Sequence, residues 1–146
     1  MTRTVSILGS TGSIGKQALE VLEGLPKEKF KVYALSAGRN IELLRRQINQ
    51  FQPNVVCVEL EEDAIRLAGE FKNTEILWGA AGLRRIAGNP VNDVVLVAVN
   101  GLIGLEPTME ALKNGITVAL ANKETLVAAG DIVMKLARDN NTSIIP

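Results

Sequence analysis

Gly9, Gly12 and Gly15, with the hydroxyls of Ser10, Thr11 and Ser13 between them, are the densest cluster of chemistry-bearing residues in the sequence. Glycine lets a backbone turn tightly and lets a ligand come close to it. The cluster sits between Thr4–Leu8, a β-branched run that alternates as a strand, and Lys16–Leu22, which takes helical spacing. A strand, a glycine turn and a helix start together offer free N–H groups and a partial positive charge, the requirements of a pyrophosphate site. The expectation is that Gly9, Ser10, Thr11, Gly12, Ser13 and Ile14 hold the phosphates of a nucleotide. The spacing is G-x-x-G-x-x-G, not the stricter G-x-G-x-x-G of many dinucleotide enzymes, so taken alone it also fits a plain βα turn.

A second cluster, Ala37-Gly38-Arg39-Asn40, follows the next apolar run, Lys31–Ser36. In dinucleotide folds an acid at this place binds the ribose of NAD, whereas an arginine accepts the 2′-phosphate of NADP. No acid is present at the end of this run, and Arg39 is flanked by Gly38 and Asn40. That pattern points to NADP; the alternative is that Asn40 only caps the following helix and Arg39 is solvated. A third cluster, Asn122-Lys123-Glu124, ends another apolar run and reads either as a ligand-facing turn or as a helix cap and first turn. Histidine is absent, which excludes a Ser-His-Asp triad and a histidine-based zinc site.

The elements that must position these clusters alternate along the chain. Helices are expected over 13–25, 41–51, from Glu61, over 82–87, through 107–113 and over 125–139. Strands are expected over 31–36, 55–58, 75–78, 93–99, 117–121 and from Ser143 onward. The run at 93–99 is the most apolar and is expected at the centre of the sheet. Such alternation implies right-handed crossovers and an α/β fold, a Rossmann-type doubly wound parallel sheet with helices on both faces. Its ligand crevice lies at the carboxyl ends of the strands, where all three clusters fall together with a fourth, glycine-bearing turn, Asn100–Gly104, to which no contact is assigned. The 146 residues fit one domain, 1–146, and 47% hydrophobic content with 3% aromatic suits a core of Val, Ile, Leu and Ala. Sixteen acidic and sixteen basic residues balance, so no net field draws the chain to nucleic acid or to a membrane surface. No apolar run approaches the roughly 20 residues of a membrane span, and no signal peptide is expected before the first strand. Cys57, the single cysteine, reads as a buried apolar residue, and the expected compartment is cytoplasmic. The pairs Arg45-Arg46 and Arg84-Arg85 read as solvated helix faces, and Glu61-Glu62-Asp63 as acids favoured at a helix start rather than as a metal site.

Gly9-Ser10-Thr11-Gly12-Ser13-Ile14-Gly15, Ala37-Gly38-Arg39-Asn40 and Leu120-Ala121-Asn122-Lys123-Glu124-Thr125-Leu126-Val127 resemble the N-terminal domain of the 1-deoxy-D-xylulose 5-phosphate reductoisomerase family. The likeness covers essentially the whole chain, and Leu-Ala-Asn-Lys-Glu is its most specific part. It implies an NADPH-dependent oxidoreductase that rearranges 1-deoxy-D-xylulose 5-phosphate and reduces the resulting aldehyde to 2-C-methyl-D-erythritol 4-phosphate, in non-mevalonate isoprenoid synthesis. By position, Thr11, Gly12, Ser13 and Ile14 would line the NADPH phosphates, and Gly38, Arg39 and Asn40 the 2′-phosphate. Asn122 and Glu124 would lie near the reactive half of the cofactor, and Lys123 would reach the substrate. The family's metal carboxylates, which take a divalent cation (Mg²⁺ or Mn²⁺), would lie beyond Pro146. No catalytic residue or metal ligand is therefore expected within 1–146, and the chain alone is expected to be inactive; the full-length enzyme would be a homodimer. Two rival readings are a non-catalytic NAD(P)-sensing module and another NADP-dependent reductase.

Overall fold

The computed structural model describes residues 1–121 and 123–146; Asn122, an expected cofactor contact, lies outside the described residues. In chain order it runs β1 (Arg3–Leu8), α1 (Ser13–Glu23), β2 (Phe30–Ser36), α2 (Ile41–Phe51), β3 (Val55–Val58), α3 (Glu61–Glu70), β4 (Glu75–Trp78) and α4 (Gly79–Ala87). There follow β5 (Val94–Val97), a 3₁₀ turn (Gly101–Gly104), α5 (Leu105–Lys113), β6 (Thr117–Leu120), α6 (Lys123–Asp139) and β7 (Ile144–Ile145). The seven strands form one sheet in the order β4-β3-β2-β1-β5-β6-β7, every pair parallel. Strand order reverses between β1 and β5, which makes the fold doubly wound.

Alternation along each strand builds two cores. Ile7, Leu35, Val56 and Val58 face a layer with Leu19 of α1, Leu44 and Ile48 of α2 and Leu67 of α3. Leu8, Ala34, Val95, Val97 and Val118 face the other layer, with Ile86 of α4, Leu112 of α5 and Val133 of α6. Because both faces are covered, the inner strands read as continuous apolar runs rather than as polar–apolar alternation.

The expected order of elements matches, with shifts at several ends. α1 stops at Glu23 rather than at Leu25, since Gly24 is its C-cap. α4 starts three residues earlier than expected, directly from β4. α6 begins at Lys123, not Thr125, and is interrupted by a non-helical residue, Ala129. The expectation of β5 as the central strand is corrected: β1 holds the middle, with β5 beside it. Its burial is disguised in the sequence by Ser6, whose fully buried hydroxyl donates to Asn92 Oδ1 at 2.6 Å and is thereby satisfied. Arg45 is also corrected. It is not a solvated side chain but a strap between helices, donating from Nε and Nη2 to Glu70 at 2.7 and 2.9 Å and pairing with Glu42. The hydrogen bond from Arg45 holds the Glu70 carboxyl below its usual range.

Candidate functional site

The site begins where β1 ends. Gly9 has φ +90°, a conformation that suits glycine, and a Cβ there would lie 2.6 Å from the carbonyl oxygen of Ala98. A Cβ on Gly15 would lie 2.2 Å from the carbonyl oxygen of Gly9, so α1 can lean on the turn only because Gly15 is bare. Gly12 is different. Its added Cβ would meet only Gly9 O, at an ordinary 3.6 Å, and the residue is exposed toward a cavity. Gly12 is the N-cap of α1, with no side chain capping the helix and no acid in its first turn. The first N–H groups of an α-helix have no partner within it, so this start is open to an anion.

Ser10 departs from expectation. Its side chain is fully buried, and its hydroxyl donates inward to Gln47 Oε1 at 2.7 Å, with Ser36 O at 3.2 Å. Its N–H is held by Ser36 O at 2.8 Å. The residue therefore anchors the turn instead of presenting a donor to a phosphate. Thr11, the next residue of the turn, lines the cavity instead.

At the end of β2, a Cβ on Gly38 would meet nothing within 4 Å, which leaves that backbone open to close approach. Asn40 caps α2, its Oδ1 accepting from the N–H of Leu43 at 3.2 Å. Arg39 is exposed, and its Nε donates to Glu59 Oε2 at 2.7 Å. Glu59 is a site residue that sequence reading missed. It follows β3, and the parallel pairing of β2 with β3 brings its N–H to 3.4 Å from Gly38 O. An acid therefore does stand beside Arg39, supplied by the neighbouring strand.

These turns open on a cavity of about 440 Å³ at the carboxyl end of the sheet, lined by Gly9, Thr11, Gly12, Gly38, Glu59 and Asn100 among others. That is within the roughly 300–1,000 Å³ of small-molecule sites. A second cavity of about 240 Å³ is lined by Ile14, Lys123 and Glu124. Both cavities share Ala98, Val99 and Asn100 as lining, so together they make one trough across the strand ends. Asn100 stands at its middle, and its only signal in the sequence is its place in a glycine-bearing turn after β5. Ser13, Arg39 and Asn40 are exposed and line neither cavity. The buried Cys57 forms part of the first cavity's wall, and burial pushes its thiol up to about 12. Another cavity, about 580 Å³, lies at the opposite end of the sheet near Thr2, Lys31 and Gln52, away from the strand ends where such folds bind ligands. Among the described residues, no group of three or more His, Cys, Asp or Glu could hold a metal ion.

A parallel sheet that reverses strand order beside a glycine turn, an uncapped helix start and a trough defines a Rossmann-type nucleotide-binding domain. The chain belongs to the 1-deoxy-D-xylulose 5-phosphate reductoisomerase family, whose model matches residues 5–130. A 1-deoxy-D-xylulose 5-phosphate reductoisomerase of Shouchella clausii (strain KSM-K16) is 48% identical over 145 residues, covering 99% of this chain and 38% of that protein. A solved reductoisomerase from Zymomonas mobilis, in complex with NADPH, is similar at a TM-score of 0.93 and 32% identity, over 100% of this chain and 38% of that one. Another, solved with NADPH, fosmidomycin and magnesium, matches with a TM-score of 0.93 at 33% identity, over 99% of this chain and 36% of that one. The chain thus spans well under half the length of the relatives it matches.

Proposed function

We propose that this chain is the NADPH-binding part of a reductoisomerase that converts 1-deoxy-D-xylulose 5-phosphate to 2-C-methyl-D-erythritol 4-phosphate. The carrying observation is the trough, which runs from Gly38 past Gly12 and Asn100 to Lys123 and Glu124. The site fits the cofactor: an uncapped helix start for the pyrophosphate and an open backbone at Gly38, with Arg39 next to it outside the trough's lining and paired with Glu59. In this reading Thr11, Gly12, Ser13 and Ile14 surround the pyrophosphate, while Gly38, Arg39 and Asn40 receive the 2′-phosphate. Asn40 can do so through its free face while capping α2. Glu124 orients the nicotinamide end, and Lys123 donates to a substrate oxygen that gains negative charge during the reaction. NADPH, when bound, supplies the hydride that reduces the rearranged aldehyde. In this reading the divalent cation, Mg²⁺ or Mn²⁺, is held by carboxylates of the longer protein, as the family resemblance implies. A homodimeric, cytoplasmic enzyme completes the reading.

Glu59 supports a second possibility at the cofactor's adenosine end, since an acid there can accept a ribose hydroxyl and favour NADH. Titration of the protein with both cofactors decides between them. A hydrogen bond to a charged group is worth about 1.5–3 kcal/mol, so NADPH should bind roughly 10- to 100-fold more tightly than NADH. Arg39→Gln should abolish that preference. Equal affinities in the unaltered protein would defeat the NADP assignment.

A further inference from the structure

Gln47 is a neutral amide in the middle of α2, 5% exposed, on the face that packs against the sheet. A buried amide is costly unless its groups are bonded, and an apolar side chain would fill the same space more simply. Gln47 is bonded at both ends, to one residue. Its Nε2 donates to the carbonyl oxygen of Ser10 at 2.9 Å, and its Oε1 accepts the Ser10 hydroxyl at 2.7 Å. From the other side, Ser36 accepts the Ser10 N–H on its carbonyl at 2.8 Å, and its hydroxyl takes the Gly9 N–H at 2.9 Å. The Ser10 peptide is therefore gripped at N–H, carbonyl and side chain, and the cavity-lining Thr11 and Gly12 follow from it directly. The same helix starts at the Asn40 cap, next to Gly38 and Arg39.

We propose that Gln47 is a positioning residue for the phosphate turn: by clamping Ser10 it fixes where the backbone of Thr11 and Gly12 meets the pyrophosphate. The inference rests on the reading that this turn binds NADPH. It predicts a selective effect, because both bonds of Gln47 go to Ser10 and neither reaches Gly38, Arg39 or Asn40.

The experiment uses the full-length protein and two probes, NADPH and adenosine 2′-monophosphate, which carries the 2′-phosphate and no pyrophosphate. Gln47→Met keeps the bulk and removes both bonds; it should weaken NADPH about 10-fold, the scale of one hydrogen bond to a charged group, and leave the monophosphate within about 2-fold. Ser10→Ala, which keeps the carbonyl bond, should show the same selectivity with a smaller loss. Ile48→Val, a buried change on the same helix away from the turn, should lower the melting temperature and alter neither affinity. Equal loss of both probes in a folded Gln47→Met protein would make the amide merely structural and overturn the proposal, as would no loss of either. If Gln47→Met does not fold, Ser10→Ala decides: selective weakening of NADPH supports the clamp, and its absence refutes it. Failure of the unaltered protein to bind NADPH would instead strike at the cofactor reading beneath.

Discussion

Two of the three glycines in the first turn look interchangeable in sequence, yet they should fail in different ways when a methyl group is added. At Gly15 the new Cβ would stand 2.2 Å from Gly9 O and 2.6 Å from Ser10 Cα, both backbone atoms. A carbon and a carbonyl oxygen normally come no closer than about 3.3 Å, so α1 and the turn must part by roughly 1 Å. The turn cannot yield easily, because Ser36 and Gln47 hold it by buried hydrogen bonds. Overpacking costs about 1–3 kcal/mol, and this site belongs at the upper end. For a chain of this size, about 3 kcal/mol lowers the melting temperature by roughly 6–12 °C. At Gly12 the new Cβ meets only Gly9 O at 3.6 Å, and φ is −79°, which alanine adopts freely. The stability change should therefore stay within about 1 kcal/mol, the scale of replacing an N-cap. In the proposed reading the methyl group instead stands where a phosphate approaches the backbone, and loss of one charge-assisted contact would weaken NADPH about 10- to 100-fold. Thermal melting of both variants, with calorimetric titration of NADPH into each, separates the cases. A Gly15→Ala protein that melts like the parent would refute the packing argument. A Gly12→Ala protein that binds NADPH unchanged would refute the assignment of this turn to the pyrophosphate.

Two further outcomes are expected. Lys123 is the first residue of α6, where a cation opposes the helix dipole, so Lys123→Ala should not destabilise the protein; in the full-length enzyme kcat/KM should still fall about 10²-fold or more, on the order of 2.7–4 kcal/mol. Arg46, exposed on α2, is the control, and steady-state kinetics in which Lys123→Ala behaves like Arg46→Ala would remove the substrate role. The Cys57 thiol, pushed up to about 12 by burial, should resist alkylation at pH 8 until the protein is denatured, and rapid labelling of the native protein would contradict its burial. Because the folded state holds this proton more tightly than the unfolded one, its contribution to stability is full below about pH 9 and is lost as pH rises toward 12.

The residues legible from sequence are those that follow strands. In a parallel sheet every β-to-α turn lands on the same edge, so Gly9–Gly12, Gly38, Asn100 and Lys123–Glu124 could be gathered by alternation alone, without knowing strand order. Strand order itself was not legible, because apolar content ranks strands by burial, and β1 hides part of its burial in the Ser6–Asn92 hydrogen bond. Glu59 was invisible for a related reason. In the sequence a ribose partner is expected at the end of β2, whereas the parallel register supplies the acid from β3. Gln47 and Arg45 mark a different limit. On a helix, a polar residue reads as solvated from its type, and only its partner reveals otherwise. Those partners are 37 residues away for Gln47 and 25 for Arg45, beyond any local periodicity. The parts of this site that line the trough are therefore written in strand-end motifs, while the parts that hold those motifs still are written in pairs whose meaning appears only once the sheet has brought them together.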